Sequence, residues 1–216
     1  MNKQEKRKKI SIGVEDFKEL IDKDGYFVDK TLMIEKLIES RAKVTLFTRP
    51  RRFGKTLNQF MIRRFFEDEI TEEGEKVDNA YLFDGLKIAE CGEEILSHQQ
   101  QYPVIFLTLK SAKQPNFEMA YGALADEIYN EFMRHRYVLQ SDALLPIEKE
   151  RYENLINRRA GKEEIAKAFA FLSMCLFKYH KKKAIILIDE YDVPLENAYF
   201  RGFYDEMIDF IRSLFE

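Results

Sequence analysis

A chain of 216 residues and 25.7 kDa, 45% of it hydrophobic, is long enough to bury a substantial core, as one large domain or one and a half small ones. Its 35 basic and 38 acidic side chains nearly cancel, leaving a net charge of -3, so no global field draws it to nucleic acid or an anionic membrane, and any anion site has to be local. Cys91 and Cys175 are too few for a disulfide framework, and the three histidines show none of the paired spacings of a zinc site; both point to a reducing, cytoplasmic compartment.

No apolar run approaches the roughly 20 residues of a membrane span, so no membrane partner is expected. The opening "MNKQEKRKKI" lacks the apolar centre of a signal peptide. Residues 1–11 read as a solvated basic tail, with a nucleic-acid-binding arm as the sharper alternative. From "GVEDFKELIDKDGYFVDKTLMIEKLIES" the pattern predicts a short amphipathic helix over 14–22, a turn at Asp24-Gly25 and a second helix over 30–40, where Leu32, Ile34, Leu37 and Ile38 recur near helical spacing. "KVTLFT", residues 43–48, reads as a buried parallel strand, being too apolar for one wet face. Gly54 ends the loop after it, and "KTLNQFMIRRFFE" carries Leu57, Phe60, Met61, Phe65 and Phe66 at helical period.

The polar stretch 68–95 is expected to hold short helices around Tyr81, Leu82, Phe83, Leu86 and Ile88. "YPVIFLTL", 102–109, is the next strand. After Pro115, a helix is predicted over 117–136, then a charged segment and a helix near 162–180. The last strand is "AIILID", ended by Asp189 and Glu190. Pro194 and Gly202 are expected to bracket a loop before a final helix in "YDEMIDFIRSLFE", which meets the chain end without a capping glycine and suggests truncation. Strands alternating with helices argue for an α/β fold, a parallel sheet covered on both faces by helices and joined by right-handed crossovers.

A phosphate-binding loop needs inward backbone N–H groups, a lysine for the terminal phosphates and a hydroxyl for magnesium. Gly54, Lys55 and Thr56 supply these at a predicted helix N-terminus, where the dipole favours an anion. The full glycine-rich pattern requires glycine where this chain has Arg49, which leaves the loop's geometry open; Pro50 stiffens it, and Arg51 and Arg52 either add charge near the phosphates or face solvent. The bland alternative is that "RPRR" is a basic turn or a nucleic-acid patch. At the far strand end, Asp189 stands where a magnesium carboxylate belongs and Glu190 where a base would orient water. Their alternative role is to cap the following turn or pair with lysines, and Asp192 is the weaker candidate.

"YFVDKT", "TRPRRFGKTL", "YPVIFLTLKSA" and "IILIDEYDVPLENA" together make the chain from Ile12 onward resemble the AAA-ATPase-like proteins of bacteria and archaea. The family tends to carry arginine and proline at this loop's start, so Arg49 matches its variant of the motif. The resemblance implies a P-loop NTPase domain of AAA-like type over 12–216, with ATP and Mg2+ as cofactors. It implies that Arg49, Pro50, Arg51, Arg52, Phe53, Gly54, Lys55, Thr56 and Leu57 form the nucleotide loop, that Thr56 and Asp189 hold the metal, and that Glu190 is the catalytic acid-base. Tyr26 to Thr31 is expected near the base or mouth of the site, or else as packing for the N-terminal helices.

Family members commonly continue into a nuclease domain, through which nucleic acid would be a partner; no such cluster is evident here. The further strands and lid of AAA-like folds are also missing, so the domain is expected to be incomplete at its C-terminus. The class often completes its site between subunits, which makes copies of the chain candidate partners. The function expected is ATP hydrolysis within a larger protein. The alternatives are a nucleotide-sensing or interaction module without turnover, and a nucleic-acid-binding domain using the arginine loop.

Overall fold

The computed structural model describes residues 13–48, 50 and 53–215. They form two compact units: one comprises the chain up to Glu67 with Asp78–Gln101, the other Asp68–Val77 with the chain from Tyr102 onward.

In the first unit, α1 (Phe17–Asp22) begins at Asp16, whose carboxylate accepts the backbone N–H groups of Lys18 at 2.7 Å and Glu19 at 3.2 Å. Such a cap satisfies donors that the first helical turn leaves open. Burial alone would raise the Asp16 carboxyl, but Arg64 beside it, 3.1 Å away, and these hydrogen bonds hold it below its ordinary value. Next come α2 (Leu32–Ser40) and α3 (Lys55–Phe66), then two 3-10 turns, Ala80–Phe83 and Lys87–Glu90, and α4 (Glu93–Leu96). These last are the short helices expected of the polar stretch. The unit closes on an aromatic line, Phe17 against Phe83 with centroids 5.3 Å apart and Phe83 edge-on to Phe65 at 5.3 Å, among buried Ile34, Met61, Leu82 and Ile88.

The second unit holds β1 (Val104–Thr108) and β2 (Ile185–Asp189), paired in parallel with Val104 opposite Ile185 and Thr108 opposite Asp189. A parallel pair needs a long crossover. Here it contains α5 (Phe117–Arg134), α6 (Pro146–Ile156), α7 (Lys162–Ala166) and α8 (Ala168–His180), and α9 (Val193–Arg201) and α10 (Tyr204–Phe215) follow β2. One core gathers Ile105 and Leu107 of β1, Leu124, Ile128 and Phe132 of α5, Tyr152 of α6, Leu172 and Leu176 of α8, and Met207 and Leu214 of α10. The Tyr152 hydroxyl enters it by donating to the Phe132 carbonyl at 2.8 Å, since a buried hydroxyl without a partner would cost stability.

β2 serves one edge of β1; side chains of α5 and its C-cap serve the other. The Phe106 N–H donates to Glu131 Oε1 at 2.8 Å, and the Val104 carbonyl accepts from Arg134 and meets His135 Nε2 at 3.1 Å. Exposed strand edges invite further pairing, and this cluster closes one. Burial pushes the Glu131 carboxyl up, yet the Arg134 charge and the hydrogen bonds from His135 and Arg134 outweigh it and hold the group well below the usual carboxylate range. The line continues from His135 Nδ1 to the Tyr137 hydroxyl (3.1 Å), on to His180 Nε2 (2.8 Å), and from His180 Nδ1 to Asp68 (3.2 Å), which ties the 68–77 segment to this unit.

Four sequence expectations change. Residues 43–48 form no strand: Val44 is 87% exposed, Leu46 is 63% exposed, and no backbone hydrogen bond from another segment reaches them among the described residues. A β-prone apolar run becomes a strand only where a neighbour offers its N–H and C=O groups. The sheet of the described residues therefore has two strands. The supposed loop between Pro194 and Gly202 is α9; Pro194 sits in its first turn, where a missing N–H costs nothing, and Gly202 caps its end at φ 81°. The helix expected over 162–180 breaks at Lys167 into α7 and α8. The charged segment before it contains α6, whose start is fixed by Pro146 and by Glu148 accepting the Leu145 N–H at 2.8 Å.

Glu131→Gln leaves the half-buried Arg134 without its counter-charge, and a loss on the order of 3 kcal/mol is expected in urea unfolding. Asp126→Asn, which removes the exposed pair with Arg158, is expected to cost below about 1 kcal/mol. Because the folded-state pKa of Glu131 is depressed, its contribution is complete above its ordinary value of 4.5 and drains away as pH falls from there toward the folded pKa. A wild-type unfolding free energy no more acid-sensitive than that of Glu131→Gln would contradict this.

Candidate functional site

The first unit contains a cavity of about 490 Å3 at the start of α3, within the size range of small-molecule sites. Gly54 precedes the helix at φ 73°, ψ 29°, the left-handed region that glycine enters without strain, and its carbonyl accepts the Asn58 N–H at 3.0 Å as the first helical bond. Lys55 follows in the first turn and lines the cavity, with Asn58 and Gln59 one turn on. Phe47 and Phe53 supply aromatic surface, and Leu32, Met33 and Ile62 the aliphatic wall. Phe53 is 58% exposed, so its ring is open to a ligand. Thr56 and Leu57 are half-buried on the same helix, and Pro50 is exposed. Arg49, Arg51 and Arg52 lie outside the described residues.

Two further cations line this cavity, Lys30 and Lys36. Lys30 stands in the "YFVDKT" segment, between two residues that are tightly held. Asp29 accepts the Thr31 N–H at 2.9 Å, the Thr31 hydroxyl at 2.7 Å and the Lys87 N–H at 2.8 Å. The fully buried Thr31 Oγ1 in turn accepts the Ile88 N–H at 3.1 Å. Partial burial would raise the Asp29 carboxyl, but the hydrogen bonds from Lys87 and Thr31 prevail and hold it below its ordinary value. Within the first unit, then, Lys30 of this segment lines the cavity while Asp29 and Thr31 hold the 3-10 turn at Lys87. Lys36 follows on α2. Sequence reasoning missed both lysines as site residues; the Asp-x-Thr spacing before a helix, a common side-chain-to-backbone turn, was the available signal.

The carboxylates belong to the second unit. Asp189 is the last residue of β2, only 5% exposed, and its carbonyl accepts the Leu109 N–H at 2.9 Å. Glu190 follows at φ 54°, a left-handed conformation that a side chain with a Cβ adopts at a cost. Its carbonyl accepts the Val193 N–H at 3.1 Å, which turns the chain into α9. Asp192 is exposed at the start of α9, as befits the weaker candidate.

Magnesium takes oxygen donors, commonly one or two carboxylates together with substrate phosphates, so a threonine hydroxyl and a single carboxylate are a chemically suitable set. Among the described residues there is no group of three His, Cys, Asp or Glu side chains suited to a metal ion, and no helix is long and apolar enough to cross a membrane.

A family model described as a predicted AAA-ATPase matches residues 11–216. No curated protein and no solved structure matches the chain.

The strain at Glu190 has a direct readout. Glu190→Gly is expected to be more stable than Glu190→Ala by about 1 kcal/mol in urea unfolding, because only glycine relieves the left-handed conformation. A glycine variant less stable than the alanine variant would show that the backbone there is not strained.

Proposed function

Because the chain belongs to the AAA-ATPase-like family, whose model spans nearly all of it, we propose that it is a magnesium-dependent ATP-binding and ATP-hydrolysing domain of a larger protein. The observation that carries this reading is the cavity at the start of α3, where Gly54 in its left-handed conformation hands the chain to Lys55. Lys55 neutralises the terminal phosphates, and the dipole of α3 adds to the attraction. The aromatic faces of Phe47 and Phe53 offer stacking to the base, an interaction worth about 1–3 kcal/mol per base in other nucleic-acid complexes. Arg49, Arg51 and Arg52 are assigned to the phosphate side of the loop, with Pro50 and Leu57 as its frame.

Magnesium, when bound with the nucleotide, draws charge from the phosphates and favours cleavage. Thr56 and Asp189 are the residues assigned to hold it, from their motif positions. Glu190 is assigned to orient water from its motif position, at the left-handed turn that follows β2. A cytoplasmic setting, in which Cys91 and Cys175 remain free thiols, completes the reading.

A ligand that binds only the folded state stabilises it, by about 2.7 kcal/mol at a hundred times its dissociation constant. Magnesium-ATP is expected to raise the thermal midpoint of the wild type and to leave that of Lys55→Ala unmoved. Equal shifts in both proteins would sink the proposal that Lys55 anchors the phosphates.

A further inference from the structure

Three lysines, Lys30, Lys36 and Lys55, line one cavity, and among the described residues none of them has a carboxylate ion-pair partner. The acid next to Lys30, Asp29, is occupied by Thr31 and the Lys87 backbone, and the acid next to Lys36, Glu35, forms no ion pair with it. Converging like charges without a counter-ion repel one another, and an anion that enters between them removes the penalty. Lys55 alone belongs to the phosphate loop; the other two come from the segment before α2 and from α2 itself.

Resting on the nucleotide reading above, we propose that Lys30 is a second phosphate-binding lysine of this cavity, aimed by the Asp29–Thr31 clamp, and that with Lys36 it makes the site selective for a polyphosphate chain over a monophosphate. The clamp is what separates Lys30 from an ordinary surface lysine. With both neighbours tied to the turn at Lys87 and Ile88, the backbone carrying Lys30 is fixed before ligand arrives, and less ordering entropy is lost on binding. A lysine suits this role as a compact charge on a flexible stem, able to follow a phosphate chain.

The test is titration calorimetry of the whole chain with magnesium-ATP, AMP and inorganic tripolyphosphate, for wild type, Lys30→Met, Lys55→Ala and Lys23→Met. Lys23 is an exposed lysine of the same unit, outside the cavity and paired with Glu19 at 2.5 Å, so it controls for net charge. Lys30 is itself exposed, and melting of each variant reports whether it is folded. Expected is at least a tenfold loss for ATP and tripolyphosphate in Lys30→Met, about 1.4 kcal/mol, with a smaller loss for AMP and little change in Lys23→Met. Unchanged affinity in Lys30→Met, or an equal loss in Lys23→Met, overturns the inference while leaving the nucleotide reading to Lys55→Ala. Tripolyphosphate binding that depends on Lys30 without any ATP binding supports the inference and overturns the nucleotide reading. Binding of neither ligand overturns both.

Discussion

β1 has two rows of backbone groups to satisfy, and the way it does so orders the second unit. One row goes to β2; of the other, the Phe106 N–H and the Val104 carbonyl go to Glu131, Arg134 and His135 at the C-terminal end of α5. A buried carboxylate could not take that place alone. Arg134 supplies the opposing charge and the Phe106 N–H a directed bond, so each group's desolvation is offset by the others. With these two outward groups held by side chains, the opposite edge pairs with β2, and the register puts Asp189 opposite Thr108. The acidic pair thus stands at the end of a strand whose position is set from the far side of its neighbour. The turn after that strand is where Glu190 takes its left-handed conformation.

The first unit solves a different problem, presenting positive charge without neutralising it. Three of its acids are engaged away from the cavity: Asp16 caps α1 and meets Arg64, Asp29 holds Thr31 and the Lys87 backbone, and Glu67 pairs with Arg63 at 2.7 Å. What is left facing the cavity is cationic, amide and aromatic. On a chain whose net charge is near zero, an anion site is a local concentration of cations, and Lys30, Lys36 and Lys55 provide one here. Nucleotide is the tenant proposed for it.

How much of this could be read from the sequence varies with how local the physics is. The helix after Gly54 and the strands "VIFLT" and "IILID" were legible, because long apolar runs with a clear period form the same element in most surroundings. Residues 43–48 have the composition of a strand, but pairing is a property of the neighbour and cannot be read from the run itself. α9 was hidden because Pro194 was taken as a breaker, whereas its position in the first turn makes it a starter. Gly54 and Lys55 were found by motif. Lys30 was not, since its fixing depends on a backbone N–H 58 residues away from Asp29. The strain at Glu190 leaves no trace in residue type at all.

The account's central claim is that nucleotide phosphates enter the lysine-lined cavity of the first unit. Hydrogen–deuterium exchange with and without magnesium-ATP tests it by location, because a bound ligand slows the opening of the amides it covers. The account predicts slower exchange in residues 29–36 and 53–60, with the amides of β1 unaffected. Binding that protects other segments and leaves these two unchanged would contradict it.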